Sequence, residues 1–255
     1  MPSKHEKMLW PLVDIWRAGI LLTRLPLPPL PTTAFANSAQ AAWAYPLIGV
    51  LLAAGAGATG LAFMALGLPT ALVAGLALTV MTLVTGALHE DGLADVADGF
   101  WGGYACERRL EIMRDSQIGS YGVLALIIST GLRWGALAML LPTGLAAFVA
   151  SAALSRAMMP CLMYALPHAR QDGLSQQVGR PSRVVVAVGL LFAAFASFAL
   201  LGAAASIAIA AALLVTLAMG HLARQKIGGQ TGDVLGATQV LSETAALLGL
   251  AALLT

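Results

Sequence analysis

Charge is scarce in this sequence. Only 10% of its 255 residues are Asp, Glu, Lys or Arg, against roughly 25% in a soluble domain, and that shortfall excludes an ordinary water-soluble fold. Cysteine is nearly absent. The two present, Cys106 and Cys161, have no metal-ligand spacing and form no even-numbered framework, so neither a disulfide scaffold nor a zinc site is expected. They read as two reduced thiols packed in protein. A net charge of +2, scattered along the chain, offers no face for nucleic acid. Near the N-terminus Asp14, Arg17 and Arg24 interrupt any run long enough for a secretory h-region, so no cleaved signal is expected. No convincing internal repeat and no soluble second domain is visible, which leaves residues 1–255 as a single membrane-embedded domain.

What the chain has instead is apolar length. Hydrophobic residues make up 59% of it, and spanning a hydrocarbon core of about 30 Å takes roughly 20 helical residues. Seven blocks of that kind are predicted as spans: Trp43 to Gly67, Thr70 to Leu88, Tyr121 to Leu141, Thr143 to Leu166, Val184 to Gly202, Ala203 to Met219 and Leu235 to Thr255. Val184 to Met219 has no polar break, but as one helix it would run to roughly 54 Å, so a turn is expected near Gly202. Ahead of the spans, Leu9, Val13, Trp16 and Ile20 follow one helical track and Asp14, Arg17, Leu21 and Arg24 the adjacent one, the pattern of a helix lying along the membrane surface. Pro26 to Pro31 then forces an extended connection. The fold class is therefore all-α, a polytopic bundle of about seven transmembrane helices with an N-terminal interfacial helix.

With seven spans, the basic residues outside them fall in four segments on one side: the N-terminal arm, His89 to Ser120, Pro167 to Arg183 and Gly220 to Val234. By the positive-inside rule that side is the cytoplasm. Eleven of the twelve acids lie there too.

Four of those acids crowd into "HEDGLADVADG", His89 to Gly99, directly after the uncharged run Thr70 to Leu88. If the second span continues as helix, Asp91, Asp95 and Asp98 stand at i, i+4 and i+7 on one face and His89 points the opposite way. Three carboxylates on one face repel one another, and a hard divalent ion held by their oxygens, Mg²⁺ above all, meets that need. A solvated loop, with the aspartates as turn and cap formers beside Gly92 and Gly99, is the alternative. Glu90 lies off the face, as a solvated or supporting residue. His89 reads either as a boundary residue with a satisfied hydrogen bond or as a general base.

In "ERRLEIMRDSQIGSYG", Glu107 to Gly122, the residues Cys106, Leu110 and Met113 share one stripe, suggesting an amphipathic helix closing over the acidic stretch. Arg114 and Asp115 are either a surface pair, worth little, or a phosphate clamp and a further metal ligand. In "KIGGQTGDVLGA", Lys226 to Ala237, the glycines permit backbone N–H groups to converge on an anion. The order does not fit a Walker A loop. Arg133, Arg156 and Glu243 are embedded in spans, where charges usually face a bundle interior or a water-filled cavity. Glu243 could pair with one arginine, and the other is then expected to await an anionic ligand.

Together with "LLTRLPLP" at Leu21 to Pro28 and "YPLIGVLLA" at Tyr45 to Ala53, these three polar blocks resemble cobalamin synthase, the adenosylcobinamide-GDP ribazoletransferase family of cobalamin assembly. The motifs cover most of the chain in family order, and only Glu90 stands where leucine occurs in some members. The resemblance implies a multi-pass protein of the bacterial cell (inner) membrane whose substrates are adenosylcobinamide-GDP and α-ribazole or its 5′-phosphate. It implies a Mg²⁺-dependent phosphotransfer that releases GMP at the cytoplasmic face. On that reading Asp91, Asp95 and Asp98 hold the metal. Asp233 is a candidate for binding metal or orienting the nucleotide, Asp115 or Asp233 for proton acceptance, and Arg114, with Arg156, for meeting the developing charge. His89, Arg133, Arg156, Gly228, Gly229, Gln230, Thr231 and Gly232 are placed toward substrate. The partners are those substrates and the lipid bilayer, with no nucleic acid; a homo-oligomer is left open. Two other readings stand beside it: a CDP-alcohol-phosphotransferase-like enzyme, whose motif spacing is not reproduced, and a cation-coupled transporter, which would keep its acids at the bilayer centre.

Overall fold

A computed structural model describes residues 4–35 and 38–254, with backbone only for 4–10 and 254. The side chains of Lys4, Lys7 and Leu9, which count in the charge and periodicity of the N-terminal arm, therefore lie outside the described residues. The helices are α1 (Lys4–Leu22), α2 (Tyr45–Ala65), α3 (Thr70–Thr85), α4 (Leu88–Gly102), α5 (Cys106–Ile112), α6 (Ser120–Leu140), α7 (Ala146–Ala165), α8 (Leu174–Val178), α9 (Arg183–Leu201), α10 (Ala205–Ile227) and α11 (Gly232–Leu254). Among the described residues extended pairing is limited to one isolated parallel bridge, His168 with Gln230.

Five stretches are long and apolar enough to cross a membrane, and α3 with α4 makes a sixth as a bent pair. The chain is a multi-pass membrane protein. One of the five, Arg183–Ile227, has 45 residues and is two helices, divided where Gly202 takes φ +56°. Arg180, just before α9, donates to the Tyr164 carbonyl at the end of α7, and Gly220 near the end of α10 packs on Leu162 of α7. Both outer ends of the pair thus sit at the same end of the bundle. This is the turn expected near Gly202.

The second span does not continue straight into the acidic stretch. Gly86 and Ala87 are both left-handed, at φ +65° and +56°, and they swing α4 through 88° from α3. Glycine adopts that conformation freely and alanine at a cost. A 16-residue α3 is left as the span, while α4, with four acids, turns off at the polar end. It lies between α6 and α11 and is covered by α5.

Helix α7 is buried along nearly its whole length, and α2, α9 and α11 pack around it. Its neighbours approach closely because the contacts are small. A Cβ on Gly49 would strike the Ala152 carbonyl, and Ala53, Ala74, Ala152, Ala193, Ala208 and Ala246 are fully buried. Lipid supplies no hydrophobic drive between helices, so close backbone packing of small residues carries the association. The outer faces present large apolar side chains such as Ile127, Leu191, Phe195, Leu214 and Leu217, as lipid contact requires. The N-terminal helix α1 folds back on this bundle through Ala18 and Leu22. Asp14 is pinned there by Arg17 at 2.8 Å and by the Trp43 indole N–H at 3.1 Å.

Candidate active site

The connections between α4 and α6, α7 and α9, and α10 and α11 meet at one end of the bundle. Arg109 donates to the Gly103 and Lys226 carbonyls at 3.0 and 2.9 Å, and the Lys226 ammonium to the Phe100 carbonyl at 3.2 Å. The Pro167–Ala169 segment pairs with Gln230, whose N–H donates to the Pro167 carbonyl at 2.8 Å while its own carbonyl accepts from Ala169 at 2.9 Å. Gly229 runs so close to Pro167 that any side chain would strike its carbonyl. The amide of Gln230 is consequently committed to protein and not to an anion.

Helix formation puts Asp91 and Asp95 one turn apart, and Asp233, in the first turn of α11, joins them from across the helix pair. The close approach depends on Gly92, where a Cβ would lie 2.8 Å from the Asp233 carbonyl oxygen and 3.0 Å from its Cα. Half-buried Asp95 has its carboxyl pushed up to about 7, first by burial and then by the charges of Asp233, Asp91 and Asp98. Arg170 acts in the opposite direction. Its guanidinium meets Asp233 at 3.0 Å and approaches Asp172 at 4.0 Å, and Asp172 in turn pairs with Arg114. Arg114 therefore bonds with Asp172 and not with its neighbour Asp115, whose carboxylate accepts from the Gln117 amide at 3.0 Å.

Asp98 belongs to the same face but is used differently. Both its oxygens accept backbone N–H groups, from Gly119 at 2.7 Å and Gly122 at 2.9 Å, holding the start of α6. The helix start is electropositive and its amides lack internal acceptors, so a carboxylate there is stabilising. Thr231 plays a similar part for α11: its hydroxyl accepts from the Val234 amide at 3.3 Å and donates to Asp233 at 3.1 Å. Gln230 is buried, bonded to Ser175 at 2.6 Å and to the His168 ring at 2.9 Å.

Deeper in the bundle a second set of charges is closed on itself. Arg133 meets Glu90 at 3.0 Å and Glu243 at 3.7 Å, and Arg156 meets Glu243 at 3.5 Å. Gln239 donates to Glu243 at 2.7 Å and Ser155 does so at 3.3 Å. The expectation of one arginine left free for a ligand is corrected here, because Glu90, expected off the working face as a solvated or supporting group, supplies the second carboxylate. His89 sits beside this set, 2% exposed, and its Nε2 has no hydrogen-bond partner.

Two cavities flank α4. One, of about 310 Å³, is lined by Asp91, Asp95, Met113, Arg114, Asp115 and Ser116 among others. The other, of about 160 Å³, lies between α1, α7, α8 and α11 and is lined by His89, Asp91, Arg170, Ser175, Gly232 and Asp233 together with mostly apolar side chains. Among the described residues, Asp91 alone lines both. Among the described residues, no three His, Cys, Asp or Glu side chains are placed so that they could hold a metal ion together without rearrangement. In chemistry the donor set suits a hard divalent ion: all-oxygen side chains, with Asp95 raised first by burial and then by the neighbouring carboxylates. Arg170, Asp172 and His168 escaped the sequence reading because they sit in a connection without periodicity. Their only signal was a basic residue on the side where the acids gather.

A family model described as cobalamin-5-phosphate synthase matches residues 14–251. An adenosylcobinamide-GDP ribazoletransferase of Bradyrhizobium diazoefficiens is 42% identical over 244 residues, covering 94% of each chain. One from Azorhizobium caulinodans is 44% identical over 258 residues, covering 96% of this chain and 97% of its own. No solved structure matches.

Proposed function

The chain belongs to the cobalamin-5-phosphate synthase family, and on that footing we propose how the carboxylates at its polar end carry out the transfer. The activity is that of an adenosylcobinamide-GDP ribazoletransferase. The CDP-alcohol phosphotransferase and transporter readings fall away with the family assignment. A ribose hydroxyl of ribazole, or of its 5′-phosphate, attacks the phosphorus linked to cobinamide. A P–O bond forms there, the bond to the GMP phosphate breaks, and the hydroxyl proton passes to a carboxylate.

Phosphoryl transfer is mostly positioning plus charge stabilisation, and the residues divide along those lines. Asp91, Asp95 and Asp233 would hold Mg²⁺, which when bound neutralises pyrophosphate charge and eases departure of the GMP phosphate. Asp98 is left out of that set by its bonds to Gly119 and Gly122. Arg114 and Arg170, at the mouths of the two cavities, face the phosphate oxygens once their carboxylate partners yield. Asp115 stands at the edge of the larger cavity as a proton acceptor. Arg133 and Arg156, held by Glu90 and Glu243, keep α4, α6, α7 and α11 in register. Since Glu90 is adjacent to Asp91, the pin acts directly under the site. Clustering of the basic segments at this end supports a cytoplasmic orientation.

The observation that carries the reading is the position of Asp91, shared by the linings of two cavities on opposite sides of α4. Two substrates have to meet at one phosphorus, and that geometry gives them a common wall. The test is GMP release from adenosylcobinamide-GDP by the full chain in lipid. Release that requires both ribazole and Mg²⁺ is expected; release without ribazole would contradict the transfer.

A further inference from the structure

The smaller cavity is walled mainly by apolar side chains. Its inner wall is made by Tyr45, Leu22, Met159, Met163 and Leu235, none more than 7% exposed. Of the polar groups in its lining, Ser175 already donates to Gln230 and Arg170 to Asp233; His89 Nε2 has no partner, and Tyr45 brings a hydroxyl. A ligand portion seated there therefore meets mostly carbon and sulfur, and donors or acceptors carried into the depth beyond those that His89 and Tyr45 can meet go unpaired. Burying such a group without a partner is costly.

We propose that this cavity is the seat of the aromatic base of ribazole, with the ribose directed to Asp91 and Asp233 at the rim; the inference rests on the ribazole-transfer reading above. Size agrees with it. A dry cavity of about 150 Å³ takes up benzene, and the 160 Å³ here suits a flat one- or two-ring system but not a tetrapyrrole-derived macrocycle. Polarity agrees as well. Guanine, the other aromatic group among the substrates, carries more donors and acceptors along its edges than His89 and Tyr45 could meet. Benzimidazole presents carbon on nearly every edge, and methionine sulfur packs favourably against aromatic rings.

The approach route is also present. A cleft of about 440 Å³ beneath α1 shares Leu21, Tyr45, Leu88, Leu174 and Val178 with the small cavity and opens past Arg17 and Arg24. An amphipathic nucleoside entering along α1 would pass from that cleft into the base seat without leaving an apolar wall. The phosphate-bearing substrate is left to the polar cavity across Asp91, which Arg114, Asp115 and Ser116 line.

The experiment is calorimetric binding of α-ribazole to the full chain in lipid nanodiscs with no second substrate, for the parent and for Met163→Phe and Leu235→Phe. These variants fill the seat from different helices, so one inserting poorly leaves the other. A rise of tenfold or more in Kd for α-ribazole is expected, with the KM for adenosylcobinamide-GDP unchanged within about twofold. Free benzimidazole should compete with α-ribazole for the parent protein, and guanosine should not. Undiminished α-ribazole binding in correctly inserted variants overturns the assignment, as does competition by guanosine in place of benzimidazole. Parent protein that binds α-ribazole but releases no GMP would instead overturn the transfer reading and leave the seat in place.

Discussion

Adding one methyl group at Gly92 puts the arrangement of the site under direct strain. The Cβ of Gly92→Ala would lie 2.8 Å from the Asp233 carbonyl oxygen and 3.0 Å from its Cα. Ordinary van der Waals contact begins near 3.4 Å, and both neighbours are backbone, which has no rotamer to change. Helices α4 and α11 must then part by about 0.6 Å at the place where Asp91 and Asp233 face each other. A misplacement of about 1 Å costs roughly 10²-fold in rate, so a ten- to hundredfold fall in kcat is expected. Overpacking should also remove about 1–3 kcal/mol of stability. The assay is single-turnover GMP release in nanodiscs, with thermal unfolding measured on the same sample. Gly135→Ala is the control: an added Cβ there meets nothing within 4 Å, and turnover should stay at the parent level. If Gly92→Ala inserted normally and turned over within about threefold of the parent, proximity of α4 and α11 would have no part in the chemistry.

Three further outcomes are expected. Glu243→Ala leaves Arg156 buried without a carboxylate, which costs about 3–5 kcal/mol, and adding Arg156→Met should restore part of the lost Tm; no recovery would mean the two are not energetically paired. Asp98→Asn cannot accept from both Gly119 and Gly122 in the same way, so a loss of about 1.5–3 kcal/mol in thermal stability is expected with cation affinity unchanged; the reverse pattern would put Asp98 in the metal shell. The carboxyl of Asp95 is raised from 3.8 to about 7, so without added cation the folded state holds the extra proton between those values. Stability should therefore fall as pH rises from about 4 to about 7 and level off above, and Asp95→Asn should flatten that slope in a pH series of unfolding curves.

The helices could be read from the sequence because uninterrupted apolar runs of span length have few other folds available in lipid. The turn at Gly202 followed from length alone. The break at Gly86–Ala87 did not, since nothing in the sequence distinguishes a left-handed Ala87 from a helical one. On α4, period 3.6 correctly put Asp91, Asp95 and Asp98 on one face. It could not reveal that the amides of Gly119 and Gly122, more than twenty residues on, take up Asp98. Spacing cannot show such tertiary partnerships, and the same limit hid the Glu90–Arg133 pair and the Arg170–Asp233 contact. Conversely, the glycines of "KIGGQTG" suggested an anion nest, whereas Gly229 is small because the Pro167 carbonyl presses against it.

Asp91 and Asp95 of α4 and Asp233 of α11 are proposed to close around one divalent ion. The most direct test is titration of the full chain in nanodiscs with Mn²⁺, bound and free ion being separated by electron paramagnetic resonance, for the parent, Asp91→Asn and Asp233→Asn. One tight site is expected in the parent, with a loss of affinity of tenfold or more in each variant. Equal affinity in all three would contradict that arrangement.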